Sequence, residues 1–166
     1  ALNINSKFNE NIVKIWIATI ISAVGYLHEY GIFYLDLNPR HIHLDEFGHC
    51  HLTNIIPKSF KYLKSNHIKM GKSGENLAYY APEIIQNTTK TYNKSVDWWS
   101  IGIILFELCT GYTPFYHENI DKMYKNISNG IFNANERCPS FMSEKCKDLC
   151  SKLLEKNIDS RLGANN

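Results

Sequence analysis

The chain has 166 residues, 44% of them hydrophobic and 20% charged, with a net charge of +2. That composition suits one globular domain or part of one, long enough to bury roughly 70% of its unfolded surface. It provides no global field for nucleic acid or a membrane surface. The five cysteines (Cys50, Cys109, Cys138, Cys146 and Cys150) are an odd number without a C-x-x-C pair. They point to a reducing, cytosolic compartment rather than a disulfide framework. Cys146 and Cys150, four apart on a predicted helix, read as partly buried thiols. Asn-x-Ser/Thr triplets begin at Asn87, Asn93 and Asn126, but no signal peptide accompanies them and they read as chance matches. The apolar runs 12–27 and 101–109 are too short or too interrupted to be expected to span a bilayer.

Taken in chain order, Ile12, Ile15, Trp16, Ile20, Val24 and Leu27 fall at helical spacing and predict a helix over residues 10–30, stopped by Gly31. Ile42–Leu44 and His49–Thr53 predict two short strands joined by a turn at Asp45-Glu46-Phe47-Gly48. Residues 54–80 predict an irregular polar loop carrying Lys58, Lys61, Lys64, Lys69 and Lys72. These lysines read as a solvated face, with an anionic partner as the functional alternative. Ala81-Pro82-Glu83 opens a short helix. Asp97 to Gly111 predicts an apolar helix buried nearly all round, and two amphipathic helices are predicted near 118–129 and 143–154. No repeat, low-complexity linker or second domain interrupts the pattern.

Five landmarks stand in a telling order: Tyr34-Leu35-Asp36-Leu37-Asn38-Pro39-Arg40-His41, then Leu52-Thr53-Asn54-Ile55-Ile56, Ala81-Pro82-Glu83, Asp97-Trp98-Trp99-Ser100-Ile101-Gly102, and Asp159-Ser160-Arg161-Leu162-Gly163. They resemble the catalytic loop, the D-F-G position, the A-P-E segment, the D-x-W-x-x-G helix and the D-x-R-x-G element of eukaryotic protein kinases. The resemblance covers the chain from about residue 10 to Gly163. The fold it implies is mainly helical, a kinase C-terminal lobe with one small hairpin. Residues 1–166 would be a single partial kinase domain from which the N-terminal lobe is absent. The doubled tryptophan, Tyr34 and the closing Arg-Leu-Gly are similar to the AGC group. The D-L-N-P variant, the G-H-x-x-L-T run without a D-F-G, and D-W-W-S-x-G together look like the degenerate ribosomal protein S6 kinase delta-1 family.

On that resemblance, only Asp36 of the catalytic groups is intact. Asn38 stands for the lysine that steadies the transferred phosphate. His41 stands for one metal ligand and Asn54 for the other, and Mg²⁺ favours neither a nitrogen nor a neutral amide over a carboxylate. Ile55 and Ile56 complete the altered D-F-G triplet, and Ile56 lacks the freedom of a glycine. Leu35 replaces the arginine that would pair with a loop phosphate. His43 replaces an apolar floor under adenine, and Asn76 a threonine. Glu83 is expected to pair with Arg161, Asp97 to accept backbone N–H groups of the catalytic loop, and Gly102 to allow close helix packing. Asp36 reads either as a vestigial base or as an anchor for its loop, and the altered metal positions favour the anchor. His41, His43, His49 and His51 alternate along the hairpin strands, but no fourth ligand or known spacing supports a zinc-type site.

These readings predict a pseudokinase, a protein-binding or scaffolding module in signalling or trafficking that needs no cofactor. The delta-1 resemblance implies a cytoplasmic protein, endosome-associated through domains outside this chain. The alternative is a weak or atypical ATP- and Mg²⁺-dependent Ser/Thr kinase using Asp36 as base. A third reading is a truncated product that exposes the surface meeting the N-terminal lobe and does not fold alone.

Overall fold

A computed structural model describes residues 7–55, 76–86 and 93–164. Ile56, the lysines at 58, 61, 64, 69 and 72, and Asn87 lie outside the described residues. The first element is helix α1 (Glu10–Glu29), whose start is capped by the Asn9 side chain accepting the Asn11 N–H at 2.9 Å. Gly31 ends it at φ +70°, where the Ile32 N–H returns to the Leu27 carbonyl. A single turn of 3₁₀ helix at Pro39–His41 leads into β1 (Ile42–Leu44), which pairs antiparallel with β2 (Cys50–Leu52). The pairing sets Ile42 opposite Leu52, His43 opposite His51, and Leu44 opposite Cys50. Between them Asp45 accepts the N–H groups of Phe47 and His49, and Gly48 reaches φ +83°.

A second 3₁₀ turn, Leu77–Tyr79, lies within the stretch expected to be wholly irregular. Helices α2 (Pro82–Gln86), α3 (Ser95–Thr110), α4 (Ile120–Asn129), α5 (Ala134–Arg137) and α6 (Glu144–Leu153) follow. Helix α3 begins two residues before Asp97 because the Asn93 side chain accepts the Ser95 N–H at 2.9 Å. Helix α5 is too short and polar to carry a periodic signal. It forms because Asn133 caps it and the Arg137 guanidinium reaches the Pro114 carbonyl.

Helix α3 is the central pillar. Every residue in it is buried except the half-buried Trp98 and Thr110. One side meets Val13, Ile17, Ile20 and Val24 of α1 and Cys150 and Leu153 of α6. The other, through Val96, Trp99 and Ile103, meets Ile84 of α2, Phe115, and Ile127 of α4. Burying each such aliphatic side chain stabilises the fold by about 1.5–3 kcal/mol. Gly102 lies where α3 meets the end of α6. A Cβ there would come within 2.8 Å of Leu154 Cδ2 and 2.9 Å of Leu153 Cβ, so only glycine permits this approach.

One expectation changes. At 20 residues, α1 is long and apolar enough, by length and composition, to cross a bilayer. In this fold one face of it packs on α3 and the hairpin, and Trp16 Nε1 donates to the Gly48 carbonyl at 3.0 Å.

Candidate functional site

The loop after α1 is held from below by Asp97, in the first turn of α3 and 0% exposed. Its carboxylate accepts the Tyr34 N–H at 2.8 Å, the Leu35 N–H at 2.7 Å and His28 Nε2 at 2.8 Å. These bonds fix a strained backbone, because Leu35 sits at φ +67°, a region a branched aliphatic residue rarely enters. The Leu35 side chain is buried in the cluster that contains Leu77, Tyr80 and Ile84. Apolar packing therefore anchors the loop at a position where the resemblance calls for an ion pair.

Above that support, three of the altered positions meet beside the intact Asp36. The His41 ring spans the site, with Nδ1 3.0 Å from the Asp36 carbonyl and Nε2 2.9 Å from Asn54 Nδ2. Nδ1–H donates to the carbonyl while the Nε2 lone pair accepts from the Asn54 amide, so one neutral tautomer satisfies both contacts. Asn38, 1% exposed, turns inward: its Nδ2 donates to the same Asp36 carbonyl at 2.8 Å and its Oδ1 accepts the Arg40 N–H at 3.1 Å. Asn54 lies at φ +58°, which asparagine tolerates well. The Tyr34 hydroxyl donates to the Thr53 carbonyl and ties the loop to the strand end.

The half-buried Asp36 side chain is held separately. Its Oδ1 accepts from Asn76 Nδ2 at 3.2 Å and from the Tyr80 hydroxyl at 3.4 Å. Burial first, then the Asp36 charge and its hydrogen bond, pushes the Tyr80 phenol up to about 12, so it stays a donor. Asp36, Asn38, His41 and Asn54 thus form one hydrogen-bonded cluster, joined by Asn76.

Other expected site residues stand apart from it. Ile55 is 43% exposed. His43 is exposed, with Nε2 3.2 Å from the Arg40 carbonyl. The hairpin histidines do not act as a set: His41 turns into the loop, while His49 Nδ1 and His51 Nε2 both approach Asp45 Oδ2, at 3.2 and 3.1 Å. Those contacts and two backbone N–H groups hold the Asp45 carboxyl well below its ordinary range, with the His51 bond the largest cause. Among the described residues no group of three or more histidines, cysteines or carboxylates could hold a metal ion.

Three supporting residues were given no role by the sequence. His28 is one, since its partner Asp97 lies 69 positions away. Glu107 and Tyr79 are the others, joined by a 2.8 Å bond from the Tyr79 hydroxyl to Glu107 Oε2. Outside the cluster, Glu83 and Arg161 pair bidentately, with Nη1–Oε1 2.7 Å and Nη2–Oε2 3.1 Å.

Residues 1–166 match the family described as protein kinase domain. The chain belongs to the protein kinase family. It is 37% identical over 159 residues to cAMP-dependent protein kinase type 3 of Saccharomyces cerevisiae, covering 96% of this chain and 37% of that protein. It is 40% identical over 161 residues to the cAMP-dependent protein kinase catalytic subunit of Schizosaccharomyces pombe, covering 95% and 29%. It is also 35% identical over 159 residues to ribosomal protein S6 kinase beta of Caenorhabditis elegans, covering 95% and 27%. This kinase domain therefore has AGC-type relatives and spans between 27% and 37% of the length of these three.

Within this kinase domain, Glu107 lies at a cleft lined by Ala78, Tyr79, Tyr112, Thr113 and Met123. Burial pushes its carboxyl from the ordinary 4.5 up to about 7, against the lowering effect of the Tyr79 hydroxyl. The folded state then holds a proton that the unfolded chain has released. The stability this proton supplies is complete below pH 4.5 and is lost as pH rises through 7. Glu107→Gln is neutral at every pH and keeps an acceptor for Tyr79. In denaturant unfolding it is expected to match the wild type near pH 4 and to exceed it by about 3 kcal/mol at pH 8. An equal difference at both pH values would contradict this.

Proposed function

We propose that this kinase domain is a catalytically impaired, pseudokinase-type module that binds protein partners in signalling or trafficking. The observation that carries the reading is the 2.9 Å bond between His41 and Asn54. Phosphoryl transfer rests on metal ions that bridge the phosphates and neutralise their developing charge. Here the residues at the two metal positions satisfy each other. A hard cation would have to break that bond and would gain an imidazole nitrogen and a neutral amide oxygen in return. Asn38 directs its side chain into the loop and carries no charge toward a phosphate. Asp36 then serves its loop: its carbonyl and carboxylate together accept bonds from Asn38, His41, Asn76 and Tyr80.

The module needs neither Mg²⁺ nor ATP for this role. Its degenerate motifs support a place near the ribosomal protein S6 kinase delta-1 family, and with it a cytoplasmic, endosome-associated setting. An anionic partner at Lys58, Lys61, Lys64, Lys69 and Lys72 belongs to the same proposal and rests on sequence alone.

The competing reading is a weak Ser/Thr kinase with Asp36 as base. A phosphotransfer assay on the full-length protein, with ATP and either Mg²⁺ or Mn²⁺, separates the two. Phosphate incorporation is expected to be the same for the wild type and Asp36→Asn, both at background. Incorporation by the wild type that falls 10²-fold or more in Asp36→Asn, the range of a lost acid–base group, would support the kinase.

A further inference from the structure

Four of the five cysteines gather where α3, α5 and α6 meet, and all four are buried. Cys109 Sγ of α3 lies 3.9 Å from Cys146 Sγ of α6. The Cys146 thiol also meets that of Cys150, which in turn meets Cys138. Packing alone would account for buried thiols. Two further features distinguish the Cys109–Cys146 pair.

The first is access. Cys146 lines a surface cleft between α1 and α6, beside Lys14, Ile17, Ser143 and Lys145. Cys109 lines an adjoining cleft with Phe8, Phe141 and Met142. Cys138 and Cys150 line neither cleft. The second is polarity. Cys146 is in the first turn of α6, and its N–H donates to the capping Ser143 Oγ at 3.2 Å. A helix N-terminus favours a thiolate. The hydrogen bond with Cys109, and then that with Cys150, outweigh burial and the nearby Glu10 carboxylate, so the Cys146 thiol is lowered. The Cys109 thiol is raised by its hydrogen bond with Cys146 and by burial. Its place at the helix start and on the cleft makes Cys146 the nucleophile, and Cys109 beside it the resolving thiol.

We propose that Cys109 and Cys146 are a redox-sensitive pair which hydrogen peroxide converts to a disulfide joining α3 to α6. The Cys146 thiolate attacks one peroxide oxygen. An S–O bond forms, the O–O bond breaks, and the departing hydroxide takes up the Cys146 proton to become water. Cys109 then gives up its proton and attacks the Cys146 sulfur. The S–S bond forms, the S–O bond breaks, and hydroxide leaves with that proton as a second water. Two thiols lose two electrons and the peroxide gains them. The sulfurs must close from 3.9 Å to about 2.04 Å. The competing Cys146–Cys150 link would join positions four apart on one helix, and Cys150 is fully buried.

The pair closes a loop 37 residues long, so the cross-link constrains the unfolded chain and raises the melting temperature by about 5 °C or more. The test treats the full-length protein with a modest excess of hydrogen peroxide, blocks free thiols, and maps linked peptides by mass spectrometry with and without dithiothreitol. The expected product is a Cys109–Cys146 linked peptide, two hydrogens lighter and reversed by reductant, with a rise in melting temperature that reductant also reverses. Cys138→Ser should retain both signals and Cys109→Ser should lose both. Mapping of the wild type stands even if a variant fails to fold. A link dominated by any other pair, sulfinic acid at Cys146 without a link, or unmodified thiols at 109 and 146 would overturn the proposal.

Discussion

Arg161→Ala is expected to destabilise the domain by about 3–5 kcal/mol in denaturant unfolding, because it strands the Glu83 carboxylate where water does not reach it. The Arg161 side chain is 0% exposed and that of Glu83 7%. Beyond the bidentate pair, the guanidinium donates to the carbonyls of Ser95 at 3.1 Å and Glu155 at 2.8 Å, and lies over the Trp99 ring at 5.1 Å. It therefore joins the start of α2, the start of α3 and the segment after α6. Arg161→Lys keeps the charge but not the planar fork, and is expected to recover only a minority of the loss. Exchanging both partners for apolar residues, as in Glu83→Leu with Arg161→Met, is expected to cost less than either single truncation, since no charge is then left buried. A double exchange that costs the sum of the single truncations would contradict this account of the pair.

Asp97→Ala is expected to have a comparable effect, about 3–5 kcal/mol, for a different reason. It leaves the Tyr34 and Leu35 N–H groups and His28 Nε2 without their acceptor, at about 1–3 kcal/mol for each buried orphan and with incomplete additivity. It also releases the left-handed Leu35, so the loop bearing Asp36 should relax. Hydrogen exchange reads this directly: the Tyr34 and Leu35 amides should lose protection by several orders of magnitude while amides at the centre of α3 lose only what global stability loses. Uniform loss of protection across all these amides would show that Asp97 supports the fold as a whole and not the loop.

Much of the architecture was legible because each element carried a local signal. The apolar stretch from Asp97 to Gly111 read as a buried helix, and Asp45 to Gly48 carried both a turn-forming carboxylate and a glycine, which the structure holds at positive φ. Five motif positions in order conveyed the family before any geometry. Elements held by distant partners were not legible. Helix α5 depends on Arg137 reaching Pro114, and His28 on an aspartate 69 residues away. At the site, the residue types at 38, 41 and 54 showed what was missing from a metal centre. That His41 and Asn54 bond each other, and that Asn38 faces its own loop, depends on φ +58° at Asn54 and on the turn at Pro39–His41, and motif spacing encodes neither. The alternating histidines suggested paired faces, yet the 3₁₀ turn takes His41 out of the strand.

The central claim is that the two metal positions are closed by a neutral hydrogen bond. A thermal-shift titration of the full-length protein with ATP, alone and with Mg²⁺ or Mn²⁺, tests it most directly. A ligand that binds only the folded state at a hundredfold excess over Kd adds about 2.7 kcal/mol of stability, a readily measured shift. The account predicts the same melting temperature, or the same ATP-induced shift, with and without either metal. A shift that appears only when Mg²⁺ or Mn²⁺ accompanies ATP, and is lost in His41→Ala or Asn54→Ala, would contradict it.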